Sequence, residues 1–136
     1  GALEAGGEAI DLGAIGSPAM VVSLKDDHVS AWQATYDGAG HFGGPVTFLL
    51  GGSGHNAGVI NPPPANKHGY WTNADMPDSA ETWFEGAAKQ DGSWWPHWQA
   101  WLSEDGKAEQ VPARKPGSGR LKAIEPAPGS YVRMRG

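Results

Sequence analysis

One histidine of this sequence lies in a loop that can hold a side chain in the open at a fixed angle. His55 belongs to the run GGSGHNAGVINPPPANK, residues 51–67, in which small residues precede it and three prolines follow. Glycine lets backbone and substrate approach closely, and proline limits the freedom of a loop. Such a position suits a general base, which needs a nucleophile to deprotonate and benefits from a carboxylate that orients its ring.

Two short apolar runs predict the strands that position this loop. Ala19–Leu24 contains β-branched residues between polar flanks, and Pro45–Leu50 is ended by two glycines, so both are typical of buried strands. Between them, Ser30 with Gln33 forms a capping-box pattern, which predicts a helix over residues 31–39. Strand, helix and strand together predict a βαβ unit in a parallel sheet that is covered on both faces.

The same unit supplies a carboxylate for the histidine. Asp27 comes just after the first strand and His55 just after the second. Because sites in parallel sheets collect at the carboxyl ends of strands, we expect the two side chains at one edge of the sheet. An aspartate that accepts the Nδ1–H of a histidine fixes the tautomer and makes the ring a general base. The spacing alone leaves a structural alternative open, in which Asp27 caps a helix and His55 bonds its own backbone.

The rest of the chain is predicted to contain two helices rich in tryptophan. Residues 67–77 read as irregular, Asp78 begins a helix whose apolar stripe runs to Ala88, and Pro96 begins a further short helix. Tryptophan side chains can stack on sugars or nucleobases, but packing, or a surface for another part of the same protein, is the favoured interpretation.

Composition limits the classes of function. The 136 residues suffice for about one domain, placed at residues 1–105, followed by a Pro/Gly-rich basic tail of coil at 106–136. That tail reads as a solvated arm, or as a contact for phosphates or an acidic partner. The net charge of -5 argues against nucleic acid, and the absence of cysteine excludes disulfides and thiolate metal sites. No apolar run approaches the length of a membrane span.

The chain offers the histidine no good nucleophile. Ser53 does not fit a GxSxG elbow, because His55 occupies the position of the second glycine. The histidines include no HExxH motif and no close pair, so no metal site is predicted. Since the chain contains no cysteine, any thiol chemistry must come from outside it.

Five short motifs follow one another along the chain. They are DHV with Trp32 (residues 27–32), GHNAGVINPP (54–63), YWTN (70–73), GSWWP (92–96) and AIEPAPGSYV (123–132). In this order they resemble the C-terminal part of the catalytic domain of a class I poly(3-hydroxyalkanoate) synthase, a polyester-forming polymerase. The likeness runs from about residue 10 to the end of the chain, and the ordered series is far more specific than any single motif.

The resemblance implies the C-terminal part of an α/β-hydrolase-type fold: a βαβ unit with parallel strands, two Trp-rich helices and a coil tail. In that family a cysteine on a GxCxG elbow takes the acyl group of an (R)-3-hydroxyacyl-CoA, a histidine activates the thiol, and an aspartate supports the histidine. The motifs carry these last two roles onto His55 and Asp27, whereas the cysteine has no counterpart here. Ala31 and Asn56 depart from the residues that members often have beside the site.

The resemblance also sets expectations for activity and partners. We expect this chain to be inactive alone and to need the missing N-terminal part that carries the cysteine. The expected reactants are a coenzyme A thioester and the growing polyester, and no cofactor or metal is expected. The expected location is the cytoplasm, at polyester granules. No substrate-binding residue is predicted. An unpaired sheet edge predicts a homo-oligomer. The alternatives are a non-catalytic interaction module of synthase descent and an unrelated Trp-rich binding domain.

Overall fold

A four-stranded sheet with helices packed against it forms the mixed α/β structure of this chain. The computed structural model describes residues 3–103, 108–115, 117 and 119–135, so the predicted domain boundary at residues 105 and 106 lies outside the described residues. The strands are β1 (Glu4–Ala5), β2 (Glu8–Ala9), β3 (Ala19–Leu24), β4 (Val46–Gly51), β5 (Tyr70–Thr72) and β6 (Ala88–Gln90). The helices are α1 (Trp32–Ala39), α2 (Ala80–Glu85) and α3 (Trp95–Leu102).

The predicted βαβ unit is present. β3 and β4 are parallel neighbours, in a register that runs from Ala19 opposite Val46 to Leu24 opposite Gly51. The connecting helix, α1, contacts both strands. The carboxyl ends of β3 and β4 therefore meet at one edge, which is where the sequence predicts the site.

Helix α1 begins one residue later than predicted, and the predicted capping box is wrong. Its N-cap is Ala31, and no side chain caps its first turn. The Ser30 hydroxyl lies 3.4 Å from the Thr35 hydroxyl instead, and the Ser30 amide donates to the Asp27 carboxylate. A capping hydroxyl has to stand at the cap position itself, and the bond to Asp27 holds Ser30 one residue before it.

Two strands that the sequence did not predict extend the sheet. β5 is antiparallel to β4, and β6 is antiparallel to β5, so the sheet is mixed and has the order β3-β4-β5-β6. The prediction of an irregular segment at residues 67–77 and of a helix to Ala88 is therefore wrong. The helix starts after its N-cap residue Ser79 and ends at Glu85, where Gly86 is the C-cap residue. Strands of three residues are too short to give a periodic signal.

Aromatic side chains of α1, α2 and β4 form the core. Phe48 and Trp83 are fully buried, with ring centroids 5.0 Å apart in an edge-to-face arrangement. Tyr36 contacts Phe48 at the same distance of 5.0 Å, and its hydroxyl donates to the Pro77 carbonyl at 2.6 Å. Edge-to-face pairs stabilise a core beyond the area that they bury. Burial of Trp83 and Trp94 confirms that these tryptophans pack.

The described part of the tail is coil, as predicted, apart from a short 3-10 turn at Tyr131–Arg133. Its apolar side chains Leu121 and Ile124 are exposed. Within the described ranges, none of the helices combines the length and the apolar character that a bilayer crossing requires.

Candidate active site

Asp27 is positioned by backbone bonds between the ends of β3 and β4. The Lys25 amide donates to the Gly51 carbonyl at 2.8 Å, and the Asp26 amide donates to the Ser53 carbonyl at 3.1 Å. These bonds tie the segment after β3 to the start of the segment after β4, which we call the His55 loop (residues 52–61). Parallel pairing of the strands thus brings the two segments side by side.

The predicted contact between the histidine and the carboxylate is present. His55 Nδ1 lies 2.8 Å from Asp27 Oδ2. The other carboxylate oxygen, Oδ1, accepts the amides of Val29 at 2.8 Å and Ser30 at 3.1 Å. An ionised carboxylate only accepts hydrogen bonds, so the proton of the bond lies on Nδ1. The Asp27 side chain is 8% exposed and that of His55 is 51% exposed, so the carboxylate is enclosed while the ring stays accessible.

The environment of Asp27 favours its charged form. The hydrogen bond from His55 is the largest cause of a pKa lowered to about 2, and the amides of Ser30 and Val29 lower this pKa further, while partial burial opposes them. Hydrogen bonds to the ionised form are what drive such a shift. Asp27 is therefore an anion at every pH at which a histidine can serve as a base.

A groove of about 360 Å³ opens beside the pair. Val22, Val59 and Ile60 contribute apolar surface to it and Ser30 and Thr35 contribute hydroxyl groups, so the His55 ring stands at a groove of mixed polarity. A larger groove of about 480 Å³ lies elsewhere, between Tyr36 and Asp78, and neither member of the pair lines it. The smaller groove is the better candidate because it contains the oriented histidine.

Ser53 and the remaining histidines do not complete a site in the described residues. Ser53 adopts a positive φ of 73° at the start of the loop, and its carbonyl is taken by the Asp26 amide. The His97 ring contacts Tyr70 at 5.8 Å between ring centroids, and His41 lines the larger groove. Within the described part of the chain, no group of three or more histidine, aspartate and glutamate side chains is placed to hold a metal ion.

Two tryptophans contact the His55 loop in a way that sequence reasoning missed. The indole N–H of Trp94 donates to the Gly58 carbonyl at 2.9 Å, and that of Trp95 donates to the Val59 carbonyl at 3.0 Å. The signal in the sequence was a pair of adjacent indoles, whose N–H groups usually find an acceptor when buried. The acceptors themselves lie about 36 residues away along the chain and cannot be read from local pattern.

Several known proteins similar to this chain are poly(3-hydroxyalkanoate) polymerases. The polymerase subunit PhaC of Rhizobium meliloti is 47% identical over 129 residues, which make up 95% of this chain and 21% of that protein. The corresponding subunit of Cupriavidus necator is 42% identical over 135 residues, 99% of this chain and 23% of that protein. The polymerase of Methylorubrum extorquens is 40% identical over 136 residues, 99% of this chain and 22% of that protein. No protein-family model matches the chain.

The similarity covers almost all of this chain but only part of each relative. The chain spans about a fifth of the length of the curated relatives it matches, in their C-terminal part. The resemblance that the ordered motifs predict is thereby confirmed.

Proposed function

We propose, from the homology of this chain to the C-terminal part of poly(3-hydroxyalkanoate) polymerases, that His55 and Asp27 are the base and the orienting carboxylate of a Cys–His–Asp triad. The cysteine would come from outside this chain, which contains none. The observation that carries the proposal is the 2.8 Å contact between His55 Nδ1 and Asp27 Oδ2, formed at the carboxyl ends of two parallel strands.

In the first half-reaction, His55 activates the thiol. Because Asp27 holds the Nδ1 proton, the neutral ring offers Nε2 as the acceptor for the thiol proton. The thiolate attacks the thioester carbonyl of an (R)-3-hydroxyacyl-CoA, and the bond between that carbonyl carbon and the coenzyme A sulfur breaks. The leaving thiolate takes the proton back from His55, so acyl-cysteine and free coenzyme A result without any redox step.

In the second half-reaction, the same base serves a hydroxyl group. His55 Nε2 takes the proton of the 3-hydroxyl of one acyl unit, whose oxygen attacks the thioester of the next. An ester bond forms, the carbon–sulfur bond breaks, and the departing thiolate is reprotonated by the ring. Asp27 stabilises the transient imidazolium in both steps, and the pKa of about 2 keeps it charged throughout.

We further infer that the sheet is the C-terminal part of an α/β-hydrolase-type sheet. Within the described residues β3 pairs only with β4, so its other edge offers free backbone donors and acceptors. An N-terminal part with the cysteine would continue the sheet at that edge, and this chain alone would be inactive. Without that part, a second copy of the chain would pair there and give a homo-oligomer, because exposed strand edges associate.

A reconstitution experiment tests the catalytic proposal. The part of the Rhizobium meliloti polymerase subunit that precedes the matched region is made separately and mixed with this chain, and coenzyme A release from (R)-3-hydroxybutyryl-CoA is followed. We expect release only from the mixture, and we expect His55→Ala to abolish it. His41→Ala is the matched control, because His41 is exposed and lines the other groove. Absence of release from two folded, associated parts would contradict the proposal.

A non-catalytic interaction module is the second candidate, and the free edge of β3 favours it as well. The same mixture separates the two functions. An interaction module binds the N-terminal part equally well with and without the His55 side chain, and the mixture releases no coenzyme A in either case.

A further inference from the structure

We propose that Trp94 and Trp95 are positioning residues for His55, acting through hydrogen bonds from their indole N–H groups to the His55 loop. The inference rests on the proposed function only for the catalytic role of His55. The positioning itself is a property of this chain and can be measured without any polymerase activity.

His55 stands in a single hydrogen-bonded turn. The Gly58 amide donates to the Gly54 carbonyl at 3.0 Å, and the Ile60 amide donates to the Asn56 carbonyl at 2.9 Å. One turn of this kind is marginal on its own, because it fixes several dihedral angles for few bonds. Of its last carbonyls, that of Val59 accepts the Asn61 amide at 3.0 Å, whereas that of Gly58 has no backbone donor within the described residues. The turn therefore needs contacts from elsewhere to keep one orientation.

The two indoles satisfy carbonyls at that end of the turn. Trp94 donates to Gly58 at 2.9 Å and Trp95 donates to Val59 at 3.0 Å, three and four residues beyond His55. Trp94 is itself 8% exposed, so its N–H would be costly to leave without an acceptor. Both bonds thus favour a single placement of the turn.

The side chains of the turn itself contribute little to holding it. Those that follow the histidine are exposed: Asn56, Ala57, Val59 and Ile60. The buried member at the end of the loop is Asn61, whose carbonyl accepts the Ser93 hydroxyl and whose side-chain amide donates to the Gly92 carbonyl at 3.4 Å. The end of the loop is therefore held by the segment that leads into α3 and by Lys67, whose carbonyl accepts the Asn61 side-chain amide at 2.5 Å.

Loss of an indole donor should change the placement of the His55 ring more than it changes the fold. A freed carbonyl lets the turn move, and a hydrogen bond weakens steeply when its distance and angle depart from the ideal. The bond most sensitive to such a movement is the one between His55 Nδ1 and Asp27 Oδ2, which joins the turn to a different segment.

The test uses this chain labelled with ¹⁵N at histidine, with Trp94→Phe and Trp95→Phe as variants. Trp98→Phe is the matched control: Trp98 lies in α3, its ring centroid is 6.1 Å from that of Trp94, the N-cap residue of this helix, and within the described residues it donates no bond to the loop. Benzothienylalanine at position 95 is the second form of the test, because it replaces the N–H by sulfur and keeps the ring. The readouts are the His55 Nδ1 proton signal and the titration of the Asp27 carboxyl carbon.

We expect each indole variant to lose or broaden the His55 Nδ1 proton signal and to raise the pKa of Asp27 toward its ordinary value, while its core methyl signals stay unchanged. In the Trp98→Phe control, the His55 Nδ1 proton signal should stay unchanged. An unaltered His55 signal with benzothienylalanine at position 95 and with Trp94→Phe would overturn the proposal. If these signals change but the reconstituted mixture releases no coenzyme A, the catalytic function fails and the positioning stands.

Discussion

The packing of the His55 loop predicts that alanine at position 58 destabilises the protein. A Cβ on Gly58 would lie 2.5 Å from the Gly52 carbonyl oxygen and 2.5 Å from a methyl carbon of Leu24. The Leu24 side chain can adjust, but the carbonyl cannot follow, because the Gly52 amide is bonded to the Gly69 carbonyl at 2.9 Å. Overpacking of this kind costs about 1–3 kcal/mol.

Gly38→Ala is the matched substitution with the opposite expected sign. Gly38 lies in α1, and a Cβ there would meet no atom within 4 Å. Alanine has the higher helix propensity, so this variant should gain up to about 1 kcal/mol. The same chemical change thus separates steric conflict in the loop from the general effect of alanine on the unfolded chain.

Urea unfolding followed by tryptophan fluorescence measures both variants. We expect the free energy of unfolding to fall for Gly58→Ala and to rise for Gly38→Ala, with similar denaturant dependence in both. Because Gly58 also accepts the Trp94 indole, the Nδ1 proton signal of His55 should weaken in the first variant only. A free energy of unfolding for Gly58→Ala at or above that of the unaltered chain would refute the packing described for the loop.

Three further predictions follow from the same contacts. In the reconstituted mixture, Asp27→Asn should lower the rate of coenzyme A release by roughly 10⁴-fold, as loss of the orienting carboxylate does in other triads, while Asp26→Asn, an exposed neighbour, should not. By carbon NMR Asp27 should titrate at about 2, and His55→Ala should move its pKa up toward 3.8. Since the folded-state pKa is the lower one, the stability that Asp27 contributes is present above pH 3.8 and is lost as the pH falls toward 2. Light scattering of the isolated chain at micromolar concentration should show association through the β3 edge, and a clean monomer would exclude it.

The sequence predicts the edge of the sheet where Asp27 and His55 lie because its signals there are local and strong. The apolar runs of β3 and β4 end in charged residues and in glycines, and the parallel pairing then follows from the helix between them. From that topology alone, Asp27 and His55 are expected together, and the 2.8 Å contact confirms the proximity. Their catalytic roles stay a prediction.

What the sequence does not predict depends on contacts between distant segments. β5 and β6 are three residues each and acquire strand geometry by pairing, β5 with β4 and β6 with β5, so their own residues carry little signal. Ser30 is a local exception: it has the residue type of a helix cap, but its amide donates to Asp27, three residues earlier, and it stands one residue before the cap position. The indole donors of Trp94 and Trp95 are visible in the sequence, whereas their acceptors depend on the folded path of the loop.

The central claim is that His55 is the base for a cysteine supplied from outside the chain. The rate at which iodoacetamide alkylates the cysteine of the separately made N-terminal part tests it directly, because only the thiolate reacts. At neutral pH, adding this chain should accelerate alkylation, and adding the His55→Ala variant, shown to bind equally well, should not. Equal acceleration by both forms, or none by the unaltered chain in a formed complex, would contradict the claim.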